Sequence, residues 1–394
     1  MDLLTAWTFR KPVTDLLPPH LTKLGAAVHT FRYDPLDLLV ASPAENIAYR
    51  IIEADMCGPL LPALGYRHHV IADDGVPELI RNQLRDFLAG AGVLSSWHDH
   101  PGGESIKTRT MAADLEAALL AKQPRRRDVV TILGGGALLD LARCVAAAVC
   151  KGLPTALIPG TPTGLVDAGV GVKAALNDEI GGKNALGTYE APLAVLLDRS
   201  ISATVSEEVA LAGLMEVLKM ALIAGGELWQ LFMQDARRVL TTRWQAAEAG
   251  PLARLAIREM VGRLVCNFRE AILDRDVDLG HCIVSPLELR GGMLHGCAVG
   301  VDLALWMIYS KLLGWMPEDE CDEVLRCMEA LGAQLYSPLL TLDLLTSSLD
   351  SATRARNGLR LPIVERIGHV AIHRSVNTGV LASAVGALRE RAGG

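Results

Sequence analysis

Hydrophobic positions change their rhythm once along the chain. Between Arg67 and Asp198, short apolar runs alternate with amphipathic stretches. The pattern predicts a strand His68–Asp74, a helix Val76–Leu88, a short strand Ser95–His98 and a helix Met111–Lys122. A strand Val129–Leu133, a helix Leu138–Cys150 and a strand Thr155–Thr161 follow. Such alternation argues for right-handed βαβ units and an open parallel sheet. After Asp198, stretches such as SEEVALAGLMEVLKMALIAG and HGCAVGVDLALWMIYSKLLGW carry apolar residues at helical spacing, and strand signals nearly vanish. Ser206–Glu208 and the acidic turn after Pro317 read as helix starts. The expected fold is an α/β parallel-sheet domain over residues 1–198, followed by an all-α domain over residues 199–394. Before residue 66 the pattern is weak, with strands expected near Trp7–Phe9 and His29–Tyr33 and a helix around Glu45–Ala54.

Composition narrows the classes. A chain of 394 residues exceeds what one core fills, so two domains are the default. Half the residues are hydrophobic and only 4% aromatic, a mix suited to helices packed on a parallel sheet. A formal charge of -7 gives no basic field, so nucleic acid is not an expected partner. The eight cysteines lie in apolar segments without a CxxC pair and read as reduced, mostly buried thiols. The opening MDLLTAWTFRKPVTD lacks a basic stretch followed by an apolar run, and Arg143 and Lys151 interrupt the most hydrophobic helix. No membrane span is expected, and a cytoplasmic location is.

Candidate chemistry is densest between Val129 and Lys219, with further candidates before it and near two glycine-flanked histidines. A strand ending in Gly134-Gly135-Gly136 and leading into a helix presents bare N–H groups at a helix N-terminus, where a pyrophosphate can approach. The spacing is not GxGxxG, and a plain strand-to-helix turn is the alternative. Asp73 ends the preceding strand and can serve a ribose hydroxyl or cap a turn. In PGGESIKT, Glu104 and Lys107 suit ribose and phosphate, or a solvated loop. Lys173 stands among Gly, Ala and Val, which suits an ammonium drawn toward an anion. Lys183 and Asn184 are expected in a Gly-opened loop, and Lys219 shares a helical face with Glu216. An ion pair on a solvated face is the alternative there, although the neighbours are all apolar.

Glu216, His281 and His295 are the foremost metal candidates, because two imidazoles and a carboxylate with an open position form a catalytic zinc set. His98-Asp99-His100, read as a loop that needs no metal, and His68-His69 are decoys, and His369 and His373 share one strand face without a third ligand.

Taken in order, ADDGV, PGGESIKT, GGGALLDLA, VDAGVGVK, KN, GLMEVLK, DLGH and LHGCAVGVD resemble the sugar phosphate cyclases of the dehydroquinate synthase-like superfamily. The resemblance spans roughly residues 67–310. It implies a Rossmann-like NAD domain, a helical metal domain and a homodimer. It also implies a cycle of transient oxidation by NAD, phosphate elimination, re-reduction and aldol closure. By the same resemblance Asp73, Glu104, Lys107, Gly135, Gly136, Asp140, Thr161 and Asp167 serve NAD, and Glu216, His281 and His295 hold Zn2+ or Co2+. Lys173, Asn184 and Lys219 serve the sugar phosphate. Asp278, counted with the catalytic candidates, and Ser285 stand where dehydroquinate synthases carry an asparagine and a second histidine, which disfavours an acidic substrate. GHCIVSPLEL and KNALGTYEAP look most like the 2-epi-5-epi-valiolone synthases, which act on sedoheptulose 7-phosphate. The alternatives are a 3-dehydroquinate or 2-deoxy-scyllo-inosose synthase type, a metal-dependent NAD alcohol dehydrogenase, and a catalytically silent relative. Arg354 and Arg356 are candidate late contributors to anion binding.

Overall fold

A computed structural model describes residues 27–33, 35–42, 45–65, 67–180 and 182–393. The strand expected near Trp7–Phe9 lies outside the described residues. The chain divides into two compact units, one ending at Thr204 and including Val261–Arg269, the other comprising Val205–Met260 and the chain from Glu270 onward. The change of rhythm at Asp198 thus precedes the boundary. Arg199–Thr204 form a 3-10 helix held to the first unit by Ile201 in its core and by Arg199 Nε on Glu53 Oε1 at 3.0 Å.

The first unit is built on an eight-stranded sheet. In chain order the described strands are β1 (Ala27–Tyr33), β2 (Leu36–Ser42), β3 (Ile47–Glu53), β4 (His68–Asp73), β5 (Leu94–His100), β6 (Val129–Gly134) and β7 (Thr155–Pro159). A separate hairpin β8 (Lys173–Asp178) and β9 (Gly182–Tyr189) precedes β10 (Ala194–Leu197). The sheet order is β1-β2-β3-β10-β7-β6-β4-β5. From β3 to β5 every pairing is parallel, while β1-β2 and β2-β3 are antiparallel. Helices α1 (Glu78–Gly90), α2 (Arg109–Leu120) and α3 (Gly136–Ala148) supply the crossovers. Strand β6, VVTILG, is buried throughout, as a central strand covered on both faces must be.

Three expectations are corrected. The helix expected around Glu45–Ala54 is strand β3: Ile47, Tyr49 and Ile51 are buried while Ala48 and Arg50 are less so, a period of two that fits a pleated strand. Its Arg50 is tied diagonally across to Asp37 on β2 at 2.6 Å. His98-Asp99-His100 is the end of β5, where Arg81 and Arg85 neutralise Asp99. Nor is the sheet wholly parallel, because short turns between β1, β2 and β3 leave no room for crossovers.

The second unit is helical, as its periodicity predicts: α4 (Glu207–Ala224), α5 (Gly226–Thr241), α6 (Ala249–Leu264, whose residues from Val261 belong to the first unit), α7 (Val284–Leu289), α8 (His295–Leu312), α9 (Glu318–Ala330), α10 (Leu342–Ala355) and α11 (Thr378–Arg391). A hairpin, β11 (Leu361–Arg366) and β12 (His369–His373), is added to them. Ser206 caps α4 by accepting from Val209 N, and Pro317 precedes the acidic first turn of α9. Helices α4 and α8 are apolar on nearly all sides and form the unit's centre, packed against each other. Among the described residues no helix is long and apolar enough to cross a membrane.

Candidate active site

Two clusters of sequence-predicted residues form, one within each unit. In the first unit, β4, β6 and β7 end side by side, the crevice where open α/β sheets bind ligands. Asp73 closes β4, its Oδ1 accepting from Gly75 N at 2.9 Å and its Oδ2 from Gly135 N at 3.4 Å. A side chain at Gly102 would meet the Asp73 carboxylate at 2.5 Å, and one at Gly134 would meet Asp73 Cβ at 2.8 Å. Asp73 therefore holds the turn and also lies in a cradle of bare backbone. Gly135 precedes α3 without a side-chain cap, so the helix's first N–H groups are available to an anion. Thr161 Oγ1 accepts from Gly164 N at 3.2 Å and starts the turn that carries Asp167; Ala168 lies against Gly136. These residues fit a dinucleotide.

Beside them lies a charged network. Lys107, nearly fully buried, places Nζ 2.8 Å from Asp140 Oδ2, 2.6 Å from Asn184 Oδ1 and 3.6 Å from Glu104 Oε1. Asn177, which sequence reasoning missed, donates from Nδ2 to Glu104 at 3.0 Å and accepts the Asn184 N–H at 2.9 Å. It thereby supports Asn184 at φ 54°, a left-handed conformation that asparagine tolerates. A polar residue just before a hairpin turn carries no signal of this role. Lys183 Nζ lies 3.7 Å from Glu104 Oε1.

Lys173 opens β8 with its side chain exposed, while its backbone is fixed from below. Arg143, read from the sequence only as an interruption of an apolar helix, is buried and donates to the carbonyls of Lys173, Gly171 and Glu190 at 3.0, 3.2 and 2.7 Å. The Tyr49 hydroxyl donates to Val170 O at 2.5 Å. A lone arginine inside an apolar helix was the available signal.

In the second unit the metal candidates converge. Glu216 and Lys219 form the expected i, i+3 pair on α4, Nζ to Oε2 2.6 Å, but with both side chains 1% exposed the solvated-face reading fails. Helix α8 approaches α4 at Gly296, where any Cβ would fall 1.9 Å from Ala212 O. This close crossing brings His295 Nε2 within 3.2 Å of Glu216 Oε1. Gly280, at φ 73°, makes the turn that presents His281, and the two imidazole centroids are 5.2 Å apart. One ligand atom each from Glu216, His281 and His295 falls within a 4.8 Å span, the one such His/Cys/Asp/Glu group among the described residues.

The donor set fits a divalent cation. His281 Nδ1 lies 2.9 Å from Leu279 O; a carbonyl only accepts, so Nδ1 carries the proton and Nε2 is left as a ligand. The loop is anchored from α8, where buried Asp302 accepts from Ile283 N at 2.7 Å. Burial pushes the Asp302 carboxyl up to about 7 despite that bond. Burial also works to raise the Glu216 carboxyl, but Lys219 and the two imidazoles outweigh it and hold the group well below the carboxylate range. His295 goes the other way: burial lowers it, yet Glu216 and Glu288 win and raise it to about 10. A surplus of negative charge therefore surrounds the imidazoles, and a cation would satisfy it.

Asp278 stands apart from this reading. Its carboxylate meets Arg356 at 2.8 Å and Arg275 at 3.6 Å, so its charge is balanced in place. Arg354 donates to Ser351 on its own helix.

Residues 98–212 match the family model described as 3-dehydroquinate synthase N-terminal, and residues 213–351 match its C-terminal counterpart. Together they span more than half of the chain. The protein belongs to the 3-dehydroquinate synthase family. Within it, the 2-epi-5-epi-valiolone synthase of Actinoplanes sp. strain SE50/110 is 35% identical over 329 residues, covering 81% of this chain and 82% of the relative. ValA, the 2-epi-5-epi-valiolone synthase of Streptomyces hygroscopicus subsp. jinggangensis 5008 solved with NAD+ and Zn2+ bound, superimposes with a TM-score of 0.84 at 29% identity, over 88% of this chain and 98% of that one. A 2-deoxy-scyllo-inosose synthase complexed with carbaglucose-6-phosphate, NAD+ and Co2+ shares the fold at a TM-score of 0.75 and 20% identity, over 86% of this chain and 96% of that one. The chain is thus an enzyme of the sugar phosphate cyclase family, with the α/β and helical domains that its motifs imply.

Proposed function

We propose that this enzyme converts sedoheptulose 7-phosphate to a valiolone-type cyclitol, with loss of inorganic phosphate and no net change in nicotinamide oxidation state. The observation that carries the reading is the convergence of Glu216, His281 and His295 in an otherwise apolar helical core. When bound, NAD supplies a reversible hydride acceptor, and a divalent cation polarises the alcohol to be oxidised. The chain's own residues do the rest. Asp73, Gly135, Gly136, Thr161 and Asp167 seat the dinucleotide, and Glu104, Lys107 and Asp140 orient it. Lys173, on a backbone clamped by Arg143, and Asn184, held by Asn177, receive the sugar phosphate. Lys219 keeps the Glu216 carboxylate ionised, and its ammonium assists the departing phosphate charge.

A 3-dehydroquinate synthase-type substrate is the second reading, and one observation favours retaining it. The pairing of Asp278 with Arg275 and Arg356 removes the repulsion that the sequence assigned to an acidic substrate. Incubation of metal- and NAD-loaded protein with sedoheptulose 7-phosphate, a seven-carbon keto-acid phosphate and a hexose 6-phosphate separates the cases. The expected result is phosphate release and a cyclitol from the first only, without NADH. Turnover of the acid alone moves the assignment to the second reading, and net NADH marks a dehydrogenase instead.

A further inference from the structure

Glu288 raises His295 electrostatically, and its place in the fold points to a further role. It sits on the short helix α7 in an inverted arrangement: the acid is 9% exposed, whereas the adjacent Leu289 is 55% exposed. Burying a carboxylate while leaving a leucine in water costs free energy twice, so the acid must be held inside by a partner. Its Oε1 lies 3.3 Å from His295 Nδ1. The other nitrogen of that ring, Nε2, is the one 3.2 Å from Glu216. The two carboxylates therefore address opposite edges of one imidazole, and Glu288 is on the edge away from the metal candidates.

We infer that Glu288 is the positioning residue of the metal centre, accepting the Nδ1 proton of His295 so that tautomer and ring orientation leave Nε2 to the cation. The inference rests on the reading of Glu216, His281 and His295 as ligands. It completes a symmetry within the site: His281 has its Nδ1 proton placed by the Leu279 carbonyl, and His295 by a carboxylate. A carboxylate is the stronger acceptor and makes its imidazole the more basic donor, so His295 should be the ligand whose contribution depends most on its outer partner.

The test is Co2+ binding to the metal-free full-length protein, followed by visible absorption and by competition with a chelator, on wild type, Glu288→Leu, Glu288→Gln and His295→Ala. Thermal melting of each metal-free form reports folding separately. Glu288→Leu should bind Co2+ about 10- to 100-fold more weakly, with an altered visible spectrum. Glu288→Gln keeps an oxygen acceptor and should recover most of the affinity and the wild-type spectrum. Wild-type affinity and spectrum in Glu288→Leu overturn the proposal while leaving the ligand set intact, as does a Gln variant no better than Leu. Should the Leu variant not fold, Glu288→Asp, which withdraws the acceptor by one methylene, carries the same expectation and the same refutation. If wild type binds no Co2+, or His295→Ala binds it equally well, the ligand assignment itself fails and the positioning role with it.

Discussion

The two units solve the same problem, holding charged groups where a substrate must come, in opposite ways. In the first, charges are balanced in place: Lys107 has Asp140, Asn184 and Glu104 around it, and Asp73 already accepts two backbone N–H groups. In the second, Glu216 is buried against one lysine and two imidazoles, with Glu288 adding further negative charge. The first cluster is a finished hydrogen-bonded cradle; the second is an arrangement whose best partner is a cation. The lesson is that the helical unit should depend on its ligand for stability and protonation, and the sheet unit should not.

The largest expected effect breaks the second cluster. Glu216→Ala leaves Lys219 buried without its carboxylate, and removal of one partner of such a pair costs about 3–5 kcal/mol. Metal analysis should show no bound zinc, and calorimetry a lower melting temperature; metal retained at wild-type stoichiometry would remove Glu216 from the ligand set.

Next comes pH, where the metal-free protein should weaken on both sides for different reasons. His68, fully buried on β4, is driven down from 6.5 to about 4 by burial and by neighbouring His69. The unfolded chain takes up that proton first, so the contribution is intact above 6.5 and is lost as pH falls toward 4. That loss amounts to about 3 kcal/mol. His295, raised to about 10, has the opposite sign: its contribution is complete below 6.5 and is lost as pH rises toward 10. Denaturant titrations across this range should show both limbs, and bound zinc should abolish the alkaline one. Zinc binding near neutral pH should also release about one proton, measurable calorimetrically in buffers of different ionisation enthalpy. Binding without proton release would contradict the surplus-charge picture.

Smaller effects sharpen the first cluster. Lys107→Ala should weaken NAD binding about 10- to 100-fold, the worth of a charged hydrogen bond, with zinc stoichiometry unchanged. A loss of zinc in that variant would contradict the independence of the two clusters. Asn177→Ala removes two hydrogen bonds behind Glu104 and Asn184 and should raise KM by about fivefold, roughly 1 kcal/mol. An unchanged KM would show that Asn184 needs no such support.

Periodicity and motif order in the sequence by themselves determined the class of each half. Period-3.6 apolar spacing is what α9 obeys, burying Cys321, Val324, Leu325 and Met328, and strand β6 ending in glycines before α3 is what GGG announced. The expected helix at Glu45–Ala54 failed because the alternation of Ile47, Tyr49 and Ile51 belongs to a strand, which β2 and β10 pair on both sides. Tertiary structure alone decided the partners. Glu216, His281 and His295 are far apart in the chain, and only the tight crossing at Gly296 and the turn at Gly280 bring their donor atoms together. Arg143, Asn177, Glu288 and Asp302 act through contacts between distant segments or across a turn, and such contacts leave no periodic trace. Local spacing encodes which face of an element is apolar; which charged groups meet is set by how close two backbones can come, and that is a property of the packed chain.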